Sequence, residues 1–183
     1  MVLENRFNKL IEARHGTILY NKNDIYIGKS IEKYGEFSYL EAKIFEQICK
    51  DGDVVIEVGA NIGAHTLYLS KLVGNGFVFA FEPQRLVFQN LCANLALNSI
   101  SNVFAYQEAV SNENGTIIIP ECNFKENNNF GGINIENTKN GTTVNKQKLD
   151  NFLNKIDRLK LLKIDVEGME ISVIKGASEL IKK

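Results

Sequence analysis

The sequence predicts an α/β protein built on a mostly parallel sheet, and three observations lead there. Short apolar runs at Val54 to Val58, Phe77 to Phe81, Val103 to Val110 and Leu159 to Ile164 read as buried strands. Helical patterns stand between them, the alternation expected of right-handed parallel crossovers. The first run ends in a glycine turn, Gly59-Ala60-Asn61-Ile62-Gly63, that opens a helix. Sheets of this kind hold nucleotide-like ligands at such a junction.

Ahead of the core, residues 1–50 predict a hairpin and a helix. Thr17 to Tyr20 and Asp24 to Ile27 flank the turn signal Asn21-Lys22-Asn23. Ser38 is placed as an N-cap with Glu41 at the capping-box position, opening a helix through Ile48. Residues 51–183 form the core, and the whole chain reads as one domain. Asp51-Gly52-Asp53 turns into the first core strand, and helices are predicted from Gly63 to Leu72 and from Arg85 to Leu97. Turn residues follow each, Gly74-Asn75-Gly76 and Asn98 to Asn102.

From 111 to 145 the alternation breaks. Thr116 to Ile119 is a short strand stopped by Pro120, and a run rich in Asn, Gly and Thr follows. It predicts an inserted β-hairpin with a long loop above the strand tips, against the alternative of low-complexity disorder. A short helix at Leu149 to Leu153, the fourth core strand and a last helix from Met169 to Ile181 complete the chain.

Composition suits a single globular domain: 183 residues, 44% apolar and 23% charged. A net charge of -1 argues against nucleic acid or an anionic membrane as the main partner. Met1 to Tyr20 mixes acids and bases without an apolar core, so it does not read as a signal peptide. No run approaches the length of a membrane span. Cys49, Cys92 and Cys122 lack metal or redox spacing. The first two fall in helical patterns and are expected to be small buried hydrophobes, and Cys122 falls in a polar loop. An odd count without a secretion signal predicts a cytoplasmic location.

The chemistry starts at the first strand. Gly59 is expected to allow a tight turn and close approach of a ligand, and Gly63 to let the helix pack on the strand. A dinucleotide pyrophosphate requires G-x-G-x-x-G. Here the order is acid-x-Gly-x-x-x-Gly, and Glu57 would repel a pyrophosphate. An acid there suits a cationic group such as the amino group of S-adenosyl-L-methionine (SAM). Glu82 follows the second strand, nineteen positions past Gly63. That is close to the spacing of roughly 20 residues for a carboxylate that holds a ribose diol. Singly, Glu57 reads equally as a solvated strand end and Glu82 as a cap of the helix starting near Pro83. Together, on consecutive strand tips, they argue for a ligand.

The segments Glu57 to Thr66, Phe81-Glu82-Pro83, Asn94 to Asn98, Asn129-Phe130-Gly131-Gly132, Leu162 to Glu170 and Val173 to Ala177 follow one another in order. This ordered set resembles the FkbM-type SAM-dependent methyltransferase family, from about Gly35 to the C-terminus. The resemblance implies a Rossmann-like methyltransferase fold, SAM as methyl donor, and a hydroxyl acceptor, often on a sugar or polyketide. It implies cofactor binding by Glu57, Gly59, Ala60, Asn61, Gly63, Thr66 and Glu82. Tyr34-Gly35-Glu36 resembles a family segment that lies over the cofactor, though it reads equally as surface turn. Glu108 stands where an adenine contact is expected.

Asp165 ends the fourth strand and Glu167 follows in the turn. Ligands lie beyond the carboxyl ends of the strands at the switch point between first and fourth, so Asp165 and the first motif are expected to face one cleft. Methyl transfer from a sulfonium is an in-line displacement that depends on placing the acceptor oxygen. A neutral hydroxyl must also lose its proton to a base. The candidates are Asp165, Glu167 and His65, each with a structural alternative. The carboxylates would serve as caps ahead of Met169; His65, in a helix first turn that opposes its protonation, would serve in packing or cofactor contact. No second ligand cluster supports a metal at Asp165.

One departure from the family stands out. The chain ends at Lys182-Lys183, where the resemblance implies a fifth strand and an antiparallel pair. The sheet is therefore expected to be truncated after the fourth strand and its helix, leaving Leu159 to Ile164 as an edge. This predicts either a fragment of a longer protein or an edge covered by a partner, such as another copy in a homo-oligomer. Two other functions compete, a SAM-binding module without catalysis and a nicotinamide-dependent oxidoreductase. Glu57 and the missing G-x-G-x-x-G speak against the second. Asp165-Val166-Glu167-Gly168 lacks the Pro/aromatic platform that would stack a flipped base.

Overall fold

A computed structural model describes residues 3–133 and 140–183. The N-terminal strands β1 (Leu3–Glu4), β2 (Asn8–Ala13) and β3 (Gly16–Asn21) form an antiparallel sheet. Its hairpin turns at Arg14 and His15, not at the predicted Asn21-Lys22-Asn23. The predicted second strand, Asp24 to Ile27, instead enters helix α1 (Ile27–Tyr34). Asp24 redirects it. Its buried carboxylate accepts the N–H of Tyr26 at 2.9 Å, a local acid-to-backbone bond that competes with strand pairing. Helix α2 (Tyr39–Ile48) lies where predicted, but Ser38 has φ 50° and makes no side-chain cap, so the capping box does not form.

The core elements are β4 (Val54–Val58), α3 (Ala64–Val73), β5 (Phe77–Phe81), α4 (Arg85–Leu97) and β6 (Val103–Tyr106). The predicted third strand splits after Tyr106. Its end becomes β7 (Ala109–Val110), which leaves the core sheet to pair with β9 (Thr142–Gln147); β9 is antiparallel to β8 (Gly115–Ile119). The predicted inserted hairpin is therefore β8 and β9, and part of its connecting loop, 134–139, lies outside the described residues. A single 3-10 turn at Leu149–Phe152 precedes β10 (Leu161–Ile164) and α5 (Glu170–Gly176). The last helix is shorter than predicted. Gly176 packs directly on the backbone of Ser111, and the chain resumes as a 3-10 turn at Leu180–Lys182.

The central sheet is parallel throughout, in the order β10-β4-β5-β6. Side chains alternate across it, as strand geometry requires. Ile56, Val58, Phe79 and Phe81 pack against Leu149, Phe152, Val173 and Leu180 on one face. On the other, Val55 and Val78 meet α2 and α3 through Phe45, Leu69 and Val73, while Ala80 meets Leu91 and the N-terminal hairpin. Among the described residues no strand pairs with the outer side of β10.

Asn94 of α4 and Asn98, the residue just past its end, join the N-terminal sheet to this core. Asn94 Oδ1 accepts the N–H of Leu19 at 2.6 Å, and its Nδ2 donates to the carbonyls of Leu19 at 3.0 Å and Ile62 at 2.8 Å. Asn98, one turn later, repeats the pattern on Thr17, accepting its N–H at 2.9 Å and donating to its carbonyl at 2.7 Å. Residues four apart on a helix stack along one face, and residues two apart on a strand point their N–H and C=O the same way. The two amides thus serve the free edge of β3 as a neighbouring strand would. Asn94→Ala removes the partners of one buried and two part-buried backbone groups and is expected to lower stability by about 2 to 4 kcal/mol. Urea unfolding monitored by circular dichroism checks this; an unchanged midpoint contradicts it.

Candidate functional site

The carboxyl ends of β4, β5 and β10 meet at a cleft of about 100 Å³, floored by Gly59, Asn61, Glu82, Gln84, Asp165 and Glu167. Tyr26, Ile27, Phe37, Asn129, Gly131 and Gly132 form its walls and roof. Narrower recesses lead on from Gly59, one past Pro83, Ile119 and Val166, another inward to Phe81, Glu108 and Ala109.

Gly59 makes this arrangement possible in a way the sequence did not reveal. It has φ 84°, and a Cβ there would overlap the carbonyl oxygen of Asp165. Close approach is made by the neighbouring strand's backbone, not only by a ligand. Gly63, at φ 85°, is likewise close to Leu91 of α4, with 2.6 Å from a built Cβ to Leu91 Cδ1, and not to the strand it was expected to pack on.

The turn uses its own amides. Gly59 and Ala60 donate to the Phe81 carbonyl at 3.0 and 2.9 Å, Ile62 to Asn61 Oδ1 at 2.8 Å, and Gly63 to the Ala60 carbonyl at 2.9 Å. Asn61 N–H donates to Glu82 Oε2 at 3.0 Å. With all five engaged, the turn has no free N–H for a pyrophosphate, whose binding depends on such groups.

Glu82 is 3% exposed and lines the cleft. Its other oxygen accepts Gln84 N–H at 2.8 Å. Burial pushes its pKa up to about 7, against the pull of the Gln84 and Asn61 amides, and nearby Glu57 adds to the rise. A carboxylate has about four acceptor sites, so two amide bonds leave capacity for a ligand's hydroxyls.

Glu57 is placed differently from expectation. It is 1% exposed and does not line the cleft. Thr66, itself fully buried, donates its hydroxyl to Glu57 Oε2 at 2.6 Å, and Lys163 Nζ lies 3.4 Å from Oε1. Lys163 sits directly opposite Glu57 in the β10–β4 register, and cross-strand partners on one face touch. Burial opposes the charge on Lys163, but the attraction of Glu57 and then of Asp165, 3.3 Å away, outweighs it and holds its pKa above the usual lysine value. Sequence reasoning missed Lys163; the available signal was a Lys-x-Asp pattern in the strand that pairs beside Glu57.

His65 is buried among Phe37 and Phe45, with Nε2 3.1 Å from the Phe37 carbonyl. Burial pulls its pKa below the usual imidazole value, against Glu57 and Glu41. It is not among the residues that line the cleft, and its ring packs against Phe37 and Phe45. Tyr34 is 61% exposed and lies under the Lys33 ammonium, away from the cleft. The residues of that region that do overhang it are Tyr26 and Phe37. Ala60 is buried and contributes only backbone; Glu108 lines the inner recess and accepts from Gln147 Nε2.

The inserted segment supplies the roof. Phe130, 2% exposed, stacks on Phe124 at 4.6 Å and packs into the core, while Gln84 Nε2 donates to its carbonyl at 2.8 Å. Asn129 Oδ1 accepts the N–H groups of Gly131 and Gly132 at 3.2 and 3.1 Å. An anchored aromatic, not low-complexity disorder, explains this part of the loop.

Gly59→Ala is expected to lower stability by about 2 kcal/mol or more, from the positive φ together with the overlap. Gly52→Ala shares the conformation, at φ 87°, but meets nothing within 4 Å. Thermal melts of both variants separate the two contributions, and equal losses would remove the overlap as a cause.

The family described as methyltransferase FkbM domain matches residues 57–183. Methyltransferase sdnD of Sordaria araneosa is 28% identical over 181 residues, covering 79% of this chain and 70% of its own length. The hexuronic acid methyltransferase AglP of Haloferax volcanii is 27% identical over 135 residues, covering 73% of this chain and 53% of its own. A solved putative rRNA methylase from Clostridium thermocellum is 30% identical with a TM-score of 0.37, covering 38% of this chain and 40% of that one. The chain thus spans about half of the archaeal relative and less of that structure.

Proposed function

Because this chain belongs to the FkbM methyltransferase family, we propose that it methylates a hydroxyl of a sugar or related small molecule, with SAM as donor. The observation that carries the reading is the Glu82 carboxylate, buried at the mouth of a glycine turn whose amides are all engaged. Glu82 suits a nucleoside diol, and residues 59–63 have no free N–H for a pyrophosphate, which speaks against a nicotinamide cofactor.

When bound, SAM supplies a methyl group made electrophilic by its sulfonium. Glu82 would accept the ribose hydroxyls, Gly59 and Asn61 would line the central part of the ligand, and Pro83 and Glu108 would border the base. Asp165 and Glu167, at the tip of β10, are the other carboxylates that line the cleft. One of them would take the proton of the acceptor hydroxyl, since an alcohol is a poor nucleophile until a base removes it. The roof over Asn61 and Gln84 would orient the acceptor and limit water. The sugar assignment draws support from the hexuronic acid activity in AglP's name.

Incubation with methyl-labelled SAM and a panel of hexuronates, hexoses and polyols tests the reaction. Label on an acceptor oxygen is expected; SAM binding without transfer to any of them would favour a binding module. A pH dependence follows as well. Glu82 has a folded pKa of about 7 against an ordinary 4.5, so the folded chain holds the extra proton between these values. Stability from this group therefore falls as pH rises through that window. Hydroxyl donors favour the ionised carboxylate, so affinity for S-adenosylhomocysteine is expected to rise about ten-fold from pH 6 to pH 8. Calorimetry at both values checks it, with a flat profile counting against the diol role.

A further inference from the structure

The acid of the first motif is expected, from sequence, to meet the donor's ammonium group. Glu57 does not line the cleft where that group would lie. It lies beneath the cleft floor, held by the Thr66 hydroxyl at 2.6 Å and by Lys163 at 3.4 Å, so the ammonium it meets is the chain's own.

Lys163 does not end the series. Its Nζ also lies 3.3 Å from Asp165 Oδ2. Lys163 and Asp165 are two residues apart at the end of β10, and so stand on the same side of the sheet. From the interior outward the order is hydroxyl, carboxylate, ammonium, carboxylate. The first carboxylate and the ammonium are buried, whereas the Asp165 side chain is 60% exposed and lines the cleft. Three charges of alternating sign sum to one negative, and the uncompensated end faces the ligand. A cation placed there completes the alternation and leaves the set neutral, with its two inner charges already buried.

We infer that Asp165 is the partner of the donor's α-ammonium group, that Lys163 positions it from below, and that Glu167 is left as the base for the acceptor hydroxyl. This rests on the proposed methyl-donor reading. Glu82 is less suited to the ammonium, because the acceptor capacity that the Asn61 and Gln84 amides leave it is assigned to the ribose hydroxyls. The Lys163 contact holds Asp165 Oδ2 and leaves its second oxygen for the cleft. Asp165→Glu, one methylene longer, would keep the charge and displace it.

The test compares S-adenosylhomocysteine with methylthioadenosine, which carries the same nucleoside thioether without the amino-acid group. Both are titrated calorimetrically into the full chain and into Asp165→Asn. Loss of a charge-assisted bond is expected to weaken S-adenosylhomocysteine about 30-fold and to leave methylthioadenosine within about two-fold. The side chain is exposed and Lys163 keeps Glu57 as its partner, so the variant is expected to melt close to the parent. Equal weakening of both ligands, or of neither, overturns the assignment while leaving the donor reading intact. Failure of the parent chain to bind either ligand overturns the donor reading, and the assignment with it.

Discussion

The cleft exists because two strand ends touch. Gly59 leaves β4 with a positive φ and lies so close to the Asp165 carbonyl that no side chain fits between them. That contact brings the first strand's turn and the fourth strand's tip to one floor. It places Asn61 and Glu82 on one side and Asp165 and Glu167 on the other. The register below it, Glu57 against Lys163 and Val58 against Ile164, is the same constraint extended into the sheet. Sliding β10 by one residue would turn Lys163 to the opposite face and leave Glu57 buried without a cation, which is strongly unfavourable.

A second layer of constraint holds the walls. The N-terminal sheet is not part of the central sheet, yet its Leu19 and Thr17 backbone groups are satisfied by Asn94 and Asn98. Asn94 also reaches the Ile62 carbonyl in the glycine turn. One buried amide therefore links hairpin, helix and ligand loop, and α1, which carries Ile27 to the cleft, is carried by that hairpin through Asp24. On the other side the roof depends on Phe130, seated in the same core cluster as Ile27, Ile62 and Leu91. Both walls are thus tied to α4 and to the turn it supports.

The electrostatics divide by depth. Glu57, Thr66 and Lys163 satisfy one another below the floor, and His65, its pKa lowered by burial, packs beside aromatic rings. Glu82 sits at the boundary, buried enough for its pKa to reach about 7 yet open to the cleft. Asp165 and Glu167 stand furthest out. A nucleoside thioether with a positively charged end suits this gradient better than a dinucleotide does.

The order of the core elements, the glycine turn and the strand-tip acids Glu82 and Asp165 were legible in the chain itself, because apolar periodicity and positive-φ glycines act over a few neighbouring residues. The helix Arg85–Leu97 and the strands Val54–Val58 and Phe77–Phe81 came through to the residue. Where distant groups compete, local pattern failed. Asp24 turned an apparent strand into a helix start, Val103 to Val110 divided between two sheets, and Tyr34 was left outside a cleft that Tyr26 and Phe37 overhang. The role of Glu57 was the deepest such case. Local sequence marks an acid before a glycine turn, but its nearest cation stands more than a hundred residues later, in Lys163. Only the pairing of β10 with β4 decided whether that acid met a ligand or the chain, since side chains far apart in sequence become neighbours through register alone.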